Sequence, residues 1–303
     1  MMDMPAVGSR VSLRYRLPPG SGKPLTDVVG HVEQVDPAVL VRTKSGELVT
    51  VAQADVVSVR ELSHAPVRAS EIRALEHAAA LAWPGTEQRW LGGWFARAGH
   101  GVTSRANSAL PLDVSAQVAD LTAVVEWYRE CGLPAWLALP ERLVPIRAEG
   151  IKPARVMVRD LAGAAAPVPD VTLAPHPDAA WLRIYEREVP VDVLTAVIDG
   201  ELTFASTGYA VGRGAVTTAP DGARWLGISS VRVDPAHRRQ GQARAVCDAL
   251  VSWGAETGAE RAYIQVEVDN HAAIALYTAL GFRLHHQTRY VLADDILAPA
   301  RNL

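Results

Sequence analysis

The stretch Trp225–Leu250, WLGISSVRVDPAHRRQGQARAVCDAL, decides the fold. Leu226, Ile228, Val231 and Val233 alternate as a strand, and Ser229-Ser230 shifts the alternation as a bulge would. Asp234-Pro235 ends that strand. A helix then opens near Gly241 and runs to Thr257, with Val246, Leu250 and Trp253 on its inner face. A strand, a small-residue turn and a helix N-terminus together make a phosphate cradle. Glycine at 241 admits a close backbone approach, the first helical N–H groups lack acceptors, and the dipole favours an anion. Arg238, Arg239 and Arg244 add charge-assisted donors. An exposed basic pair is the plainer reading of Arg238-Arg239, but a bound anion better explains a pair at a helix start after Asp-Pro. The sequence has no GxGxxG and no GK[ST], so neither a dinucleotide fingerprint nor a nucleotide P-loop accounts for the cradle.

About 30 residues downstream, after a strand predicted over 262–268, comes Asn270-x-x-Ala273-x-x-Leu276-Tyr277-x-x-Leu280-Gly281-Phe282, a helix from Ala272 to Leu280 followed by a turn. With both blocks in hand, the chain resembles the GNAT superfamily of N-acetyltransferases. Arg238-x-x-Gly241-x-Ala243 after V-x-V-D-P is similar to its acetyl-coenzyme A signature, and the second block matches in residue type, order and spacing. The resemblance covers residues 171–292 directly, and the segment before them by element order alone.

That resemblance implies an α/β fold with a mixed, splayed central sheet flanked by helices, and acetyl-CoA as acetyl donor. Two parallel strands part in this superfamily, and the pantetheine arm fills the gap. Here the gap is expected between the strands at 231–233 and 262–268. The backbone of Val231, Arg232 and Val233 would pair with pantetheine. The turn of Arg238, Arg239, Gln240, Gly241, Gln242, Ala243 and Arg244 would hold the pyrophosphate, and Asn270 would bond the arm or order its turn. Tyr277 stands where the superfamily has its general acid. A phenol, with a pKa near ~10, suits a departing thiolate; packing under the sheet is its structural alternative. The base is open. Ser229 and Ser230 stand where a Glu often does, Glu267 is the nearest carboxylate on the neighbouring strand, and a water relay is an equal reading.

Outward from this core, residues 1–62 alternate over 11–17, 28–35, 39–43 and 48–51 between Pro-, Gly- and Asp-rich breaks, the pattern of a small all-β barrel. The length and hairpin pattern resemble an SH3-like barrel. From Ala69 to about Asp160 the order is helix (with Ser70 as N-cap), hairpin, helix (115–131) and strand (135–139). It echoes the order from 170 to 303, where a helix is expected over 177–188, so a degenerate GNAT-like segment is expected before the catalytic one. The stretch at 161–170 is the expected linker. The hairpin at 92–108 is expected to turn at Gly99-His100-Gly101. It either packs as a curved pair or lines an acceptor pocket with Trp94, Arg105 and Asn107, which Ser229 would face from the other side.

Composition supplies the exclusions. A net charge of −3 over 303 residues offers no global positive field, so no nucleic acid is expected. No 18-residue apolar run and no basic-then-apolar start occur, so neither membrane span nor signal peptide is expected and the compartment is read as cytoplasmic. Two cysteines, Cys131 and Cys247, supply no disulfide framework and read as structural, against an acyl-cysteine route. His285-His286 alternate on the last strand, one toward the cleft, and lack ligand-spaced partners, so no metal is expected. The acceptor is read as a small-molecule or protein amine and the chain as a monomer or homodimer. A non-catalytic acyl-CoA-binding regulatory module is the rival function. Only Lys23, Lys44 and Lys152 are lysines, which limits self-acetylation to those sites and the N-terminus.

Overall fold

The structure, a computed structural model, describes residues 4–63, 65–161 and 170–297. Packing divides the chain into two units, at Val67 and Arg68. The first holds β1 (Arg10–Arg16), β2 (Leu25–Gln34), β3 (Ala38–Thr43), β4 (Leu48–Ala52) and β5 (Val56–Leu62), paired antiparallel in the order β4-β3-β2-β1-β5. Period-2 alternation buries Val11, Leu13, Val28, Val32, Val39, Val41 and Val51 as its core.

The second unit runs α1 (Ala69–Ala82), β6 (Glu87–Leu91), β7 (Trp94–Ala98), β8 (Leu110–Pro111), α2 (Leu121–Glu130), β9 (Trp136–Pro140), β10 (Ile151–Asp160), β11 (Thr172–Ala174), α3 (Ala179–Tyr185), α4 (Val191–Thr195), β12 (Glu201–Ser206), β13 (Ala210–Thr218), β14 (Arg224–Val233), α5 (Gln242–Glu256), β15 (Arg261–Glu267), α6 (His271–Ala279), β16 (Arg283–Leu292) and α7 (Ala293–Leu297). Eight strands form one sheet in the order β11-β12-β13-β14-β15-β10-β16-β9. Every adjacent pair is antiparallel except β14 and β15, which run parallel.

Helix α5 covers one face. Its Val246, Cys247, Leu250 and Val251 pack on Met157, Leu226, Ile228, Ile264, Val266 and Phe282. It comes close because Gly212 and Gly214 on β13 carry no side chain: a Cβ there would stand 2.6 Å from Val246 Cγ1 and 2.9 Å from Leu250 Cδ2. The alternate residues of the same strands, Val156, Trp225 and Tyr263, face Leu75, Ala78 and Ala79 of α1. Among the described residues no helix is long and apolar enough to cross a membrane.

Several expectations change. The segments 69–160 and 170–303 are not separate in packing, because β10 lies between β15 and β16 and β9 pairs with β16. Of the linker expected at 161–170, residues 162–169 lie outside the described residues. The hairpin turns at Gly92-Gly93, where Leu91 pairs with Trp94, rather than at 99–101. The 115–131 helix starts only at Leu121. The expected 177–188 helix spans Ala179–Tyr185 and stops where Glu186 turns left-handed at φ 52°. Helix α1 is capped from Arg68, not Ser70: the Glu71 carboxylate accepts from the Arg68 N–H at 2.6 Å.

Candidate active site

The parallel pair supplies the site. β14 and β15 pair only from Trp225–Ile228 with Arg261–Ile264. Beyond Ile228 they part, and a cleft of about 1080 Å³ opens there. The parting follows from a bulge: Val211 pairs with Arg232 and Arg213 with Ser229, so Ser230 and Val231 together oppose Gly212. Ser230 takes φ 56° there, and its hydroxyl donates to the Tyr185 hydroxyl at 3.3 Å. On the cleft side, Ser229 to Val233 have no strand partner among the described residues, so their backbone groups are available to an extended ligand.

At the far end of β14 the chain enters the cradle. The Asp234 carboxylate accepts from the Ala236 N–H at 2.8 Å and tightens the turn. Arg239 and Gly241 are both left-handed, at φ 60° and 80°, and Gly241 is the N-cap of α5. A Cβ on Gly241 would meet nothing within 4 Å, so glycine serves the conformation there rather than relief of a clash. The N–H groups of Gln242, Ala243 and Arg244 open the helix without intrahelical acceptors, while Arg238, Arg239, Gln240 and Arg244 are exposed around them.

Val231, Arg232, Glu267, Asn270, Tyr277, Arg105 and Ser229 line the one cleft. Asn270 caps α6: its Oδ1 accepts from the Ala273 N–H at 3.2 Å, which satisfies the turn-ordering alternative. Arg232 extends to an ion pair with Glu186, and Val233 pairs with Ala210. Tyr277 is buried, with its ring edge-on to Phe282 at 6.0 Å. Burial raises its phenol above the ordinary value, against the pull of the Arg105 charge, so the hydroxyl stays protonated at neutral pH. Glu267 is exposed at the rim. Cys247 is a core thiol pushed up to about 12 by burial, and burial raises Cys131 as well; neither lines the cleft.

Two sequence-predicted acceptor residues do other work. Trp94 is fully buried in the core around α2, and its indole N–H donates to the Gln117 carbonyl at 3.0 Å. The Asn107 amide organises the 99–107 loop: its Oδ1 accepts from Gly99 and Gly101 N–H, and its Nδ2 donates to the carbonyls of Val102 and Thr103. Neither His285 nor His286 lines the cleft; His286 is buried against Glu76 at 2.8 Å. Sequence reasoning missed Trp83, Lys152, Tyr185, Gln265, Thr288 and Tyr290 in the lining. The period-2 spacing of Thr288 and Tyr290 was a usable signal, but the histidines beside them drew it. Among the described residues no group of three or more His, Cys, Asp or Glu is placed to hold a metal ion.

Known proteins resemble this chain. Residues 69–291 match the family model "Probable histone acetyltransferase Rv0428c C-terminal", and residues 5–60, the small antiparallel β unit, match "Rv0428c N-terminal Sm-like domain". Over 300 residues the chain is 49% identical to "Probable histone acetyltransferase Rv0428c" of Mycobacterium tuberculosis, covering 98% of each. It is 28% identical over 245 residues to "Uncharacterized N-acetyltransferase YobR" of Bacillus subtilis, 70% of this chain and 94% of that one. A solved GCN5-related N-acetyltransferase from Kribbella flavida superposes with a TM-score of 0.52 at 16% identity, over 75% of this chain and 95% of its own, a likeness of fold.

Proposed function

Because the chain belongs to the Rv0428c family of GNAT acetyltransferases, we propose that it transfers the acetyl group of acetyl-CoA directly to a primary amine in the cleft between β14 and β15. The parting of those strands beyond Ile228, with a protonated phenol on its wall, carries this reading. The acetyltransferase names of the matched relatives favour an enzyme over a binding module. Acetyl-CoA supplies the acyl carbon and leaves as the thiol. The unpaired edge at 229–233 would hold the pantetheine arm, and the turn at 238–244 the pyrophosphate. An amine can attack only as the free base. Glu267 at the rim, or water in the open cleft, would take its proton as the N–C bond forms and the C–S bond breaks. Tyr277 donates its proton to the departing thiolate and regains one from solvent.

Free-CoA release measured across a panel of primary amines is expected to be amine-dependent, with mass spectrometry locating the added acetyl group. Acetyl-CoA consumed at the same rate with and without every amine would overturn the reading. Replacing both Arg238 and Arg239 by Ala should weaken acetyl-CoA binding about tenfold, near 1.4 kcal/mol, by calorimetry, because these two exposed donors are screened by water. Unchanged affinity would move the pyrophosphate elsewhere. The name of the M. tuberculosis relative suggests a histone as acceptor. The cleft walls suggest a different class, and one panel separates them.

A further inference from the structure

Three arginines gather around Trp83, and among the described residues one of them, Arg105, makes no side-chain hydrogen bond or ion pair. The Arg213 guanidinium lies over the Trp83 ring at 4.6 Å from its centre and donates to the carbonyls of Leu194, Ala82 and Ala196. Arg97, wholly buried, donates to the carbonyls of Trp83 and Ser108 and to the Ser108 hydroxyl. Both spend their donors on holding loops together. Arg105 approaches the same ring at 5.7 Å, yet its side chain makes no hydrogen bond or ion pair among the described residues, and its Nε is buried.

Its surroundings set what could satisfy it. Arg105 lines both the main cleft and a cavity of about 10 Å³, room for one water at most, which shares Arg105, Gln265, Thr288 and Tyr290 with the cleft. Glu76 lines that small cavity too, but it is engaged with His286 and Gln265. Three further buried polar atoms of cleft-lining residues lack hydrogen-bond partners, Trp83 Nε1, Ser229 Oγ and Arg232 Nε. Lys152, tied to the Ser104 hydroxyl, Arg187, and Arg232, paired with Glu186, add positive charge to the same lining. Glu188, Glu267 and Asp269 are its carboxylates. Such a lining suits a molecule bearing both an ammonium and an anion and disfavours a strongly basic tail. A planar guanidinium without a hydrogen-bond partner matches a carboxylate by its two-pronged fork, and three carboxylates in the same lining disfavour a doubly charged phosphate.

We propose that Arg105 anchors a carboxylate on the acceptor, so that the acceptor is an amino-acid-type molecule with its carboxylate near the reacting amine. This rests on the acetyl-transfer reading above. Arg105 and Tyr277 line the same cleft, so a group anchored on Arg105 lies in the chamber that holds the phenol. An α-amino acid, whose two charged groups are separated by one carbon, meets that requirement.

Matched acceptors test it. Amino acids, their carboxamides and a lysine-rich peptide are compared by amine-dependent CoA release with the full-length enzyme. Carboxylates are expected to exceed their amides in kcat/KM by about 10- to 100-fold, the worth of one charge-assisted pair. In Arg105→Gln that ratio should collapse toward unity through the carboxylate's KM, with circular dichroism confirming the fold. Amides or the basic peptide turned over as well as the free acids by the unaltered enzyme would overturn the anchor while leaving acetyl transfer intact. So would a ratio that survives in Arg105→Gln. No amine-dependent CoA release from any acceptor would overturn the transfer reading and the anchor together.

Discussion

Replacing Tyr277 by Phe is expected to lower kcat by about 10²- to 10⁴-fold while leaving acetyl-CoA affinity nearly unchanged. The ring is part of the core, packed with Val246, Cys247, Leu250 and Phe282, and Phe preserves all of that contact. What is lost is one hydroxyl whose proton burial holds in place. The departing thiolate is the group that needs a proton, so the loss belongs in kcat and in kcat/KM alike. Steady-state kinetics with a fixed amine, alongside calorimetric binding of acetyl-CoA, separates this from a packing role. A change of less than about threefold, under 1 kcal/mol, would assign Tyr277 to packing alone.

The second large effect concerns stability. Glu76 on α1 is 2% exposed, and its Oε1 faces His286 Nε2 at 2.8 Å and Gln265 Nε2 at 3.4 Å. A carboxylate oxygen accepts, so His286 donates to it through Nε2, while its Nδ1 lies 2.8 Å from His285 Nδ1, one of the two nitrogens donating to the other. Glu76→Ala leaves His286, wholly buried, facing a void with no acceptor. The expected cost is ~3–5 kcal/mol, roughly 2–4 °C of melting temperature for each kcal/mol in a unit of this size. Glu76→Gln, which keeps an oxygen, should lose far less. Chemical denaturation monitored by tryptophan fluorescence reads both, and a wild-type midpoint for Glu76→Ala would show that the pair is not holding α1 to the sheet.

The same network makes stability depend on pH. His285 is pushed down to about 3 by burial, then by His286 and the charges of Arg142 and Arg261. An unfolded histidine titrates near ~6.5. On acidification the unfolded chain therefore takes up this proton first. The contribution of His285 is complete above the unfolded value and is lost as pH falls toward about 3. Melting temperature is expected to decline from pH 7 to pH 4, and His285→Gln to flatten part of that decline; equal slopes would exclude His285 as its source.

The legible parts of the molecule were those where neighbours in sequence settle the outcome. Asp234-Pro235, the glycine at 241 and the arginines beside it are adjacent in the chain, and they form one turn because each restricts the next. Asn270 and Ala273 are three residues apart, the spacing of a cap. Strand partnership is different. The alternation in β10 marks a strand but carries nothing that names β15 and β16 as its neighbours, so the middle segment read as a domain of its own. The hairpin was ambiguous for another reason: Gly92-Gly93 and Gly99-His100-Gly101 are comparable turn signals, and the burial of Trp94 depends on residues far along the chain. Asn107 misled because an amide that organises a loop and one that binds a ligand carry the same groups. Arg105 was legible as a cation in that loop, but its lack of a partner was not.

The position of β10 also governs how the chain can be made and dissected. Its two sheet neighbours begin at Arg261 and Arg283, more than a hundred residues after its own start at Ile151. On the ribosome, β10 therefore emerges with both edges bare and waits for nearly the whole chain before either is covered. Pairings of such long sequence separation are slow to close. A fragment ending at Asp160 would expose two unsatisfied strand edges, and one beginning at Asp170 would leave a vacancy in the middle of the sheet. The second unit is thus one folding event rather than two, and expressing its halves separately should yield aggregated material, with soluble protein recovered only when the halves are made together.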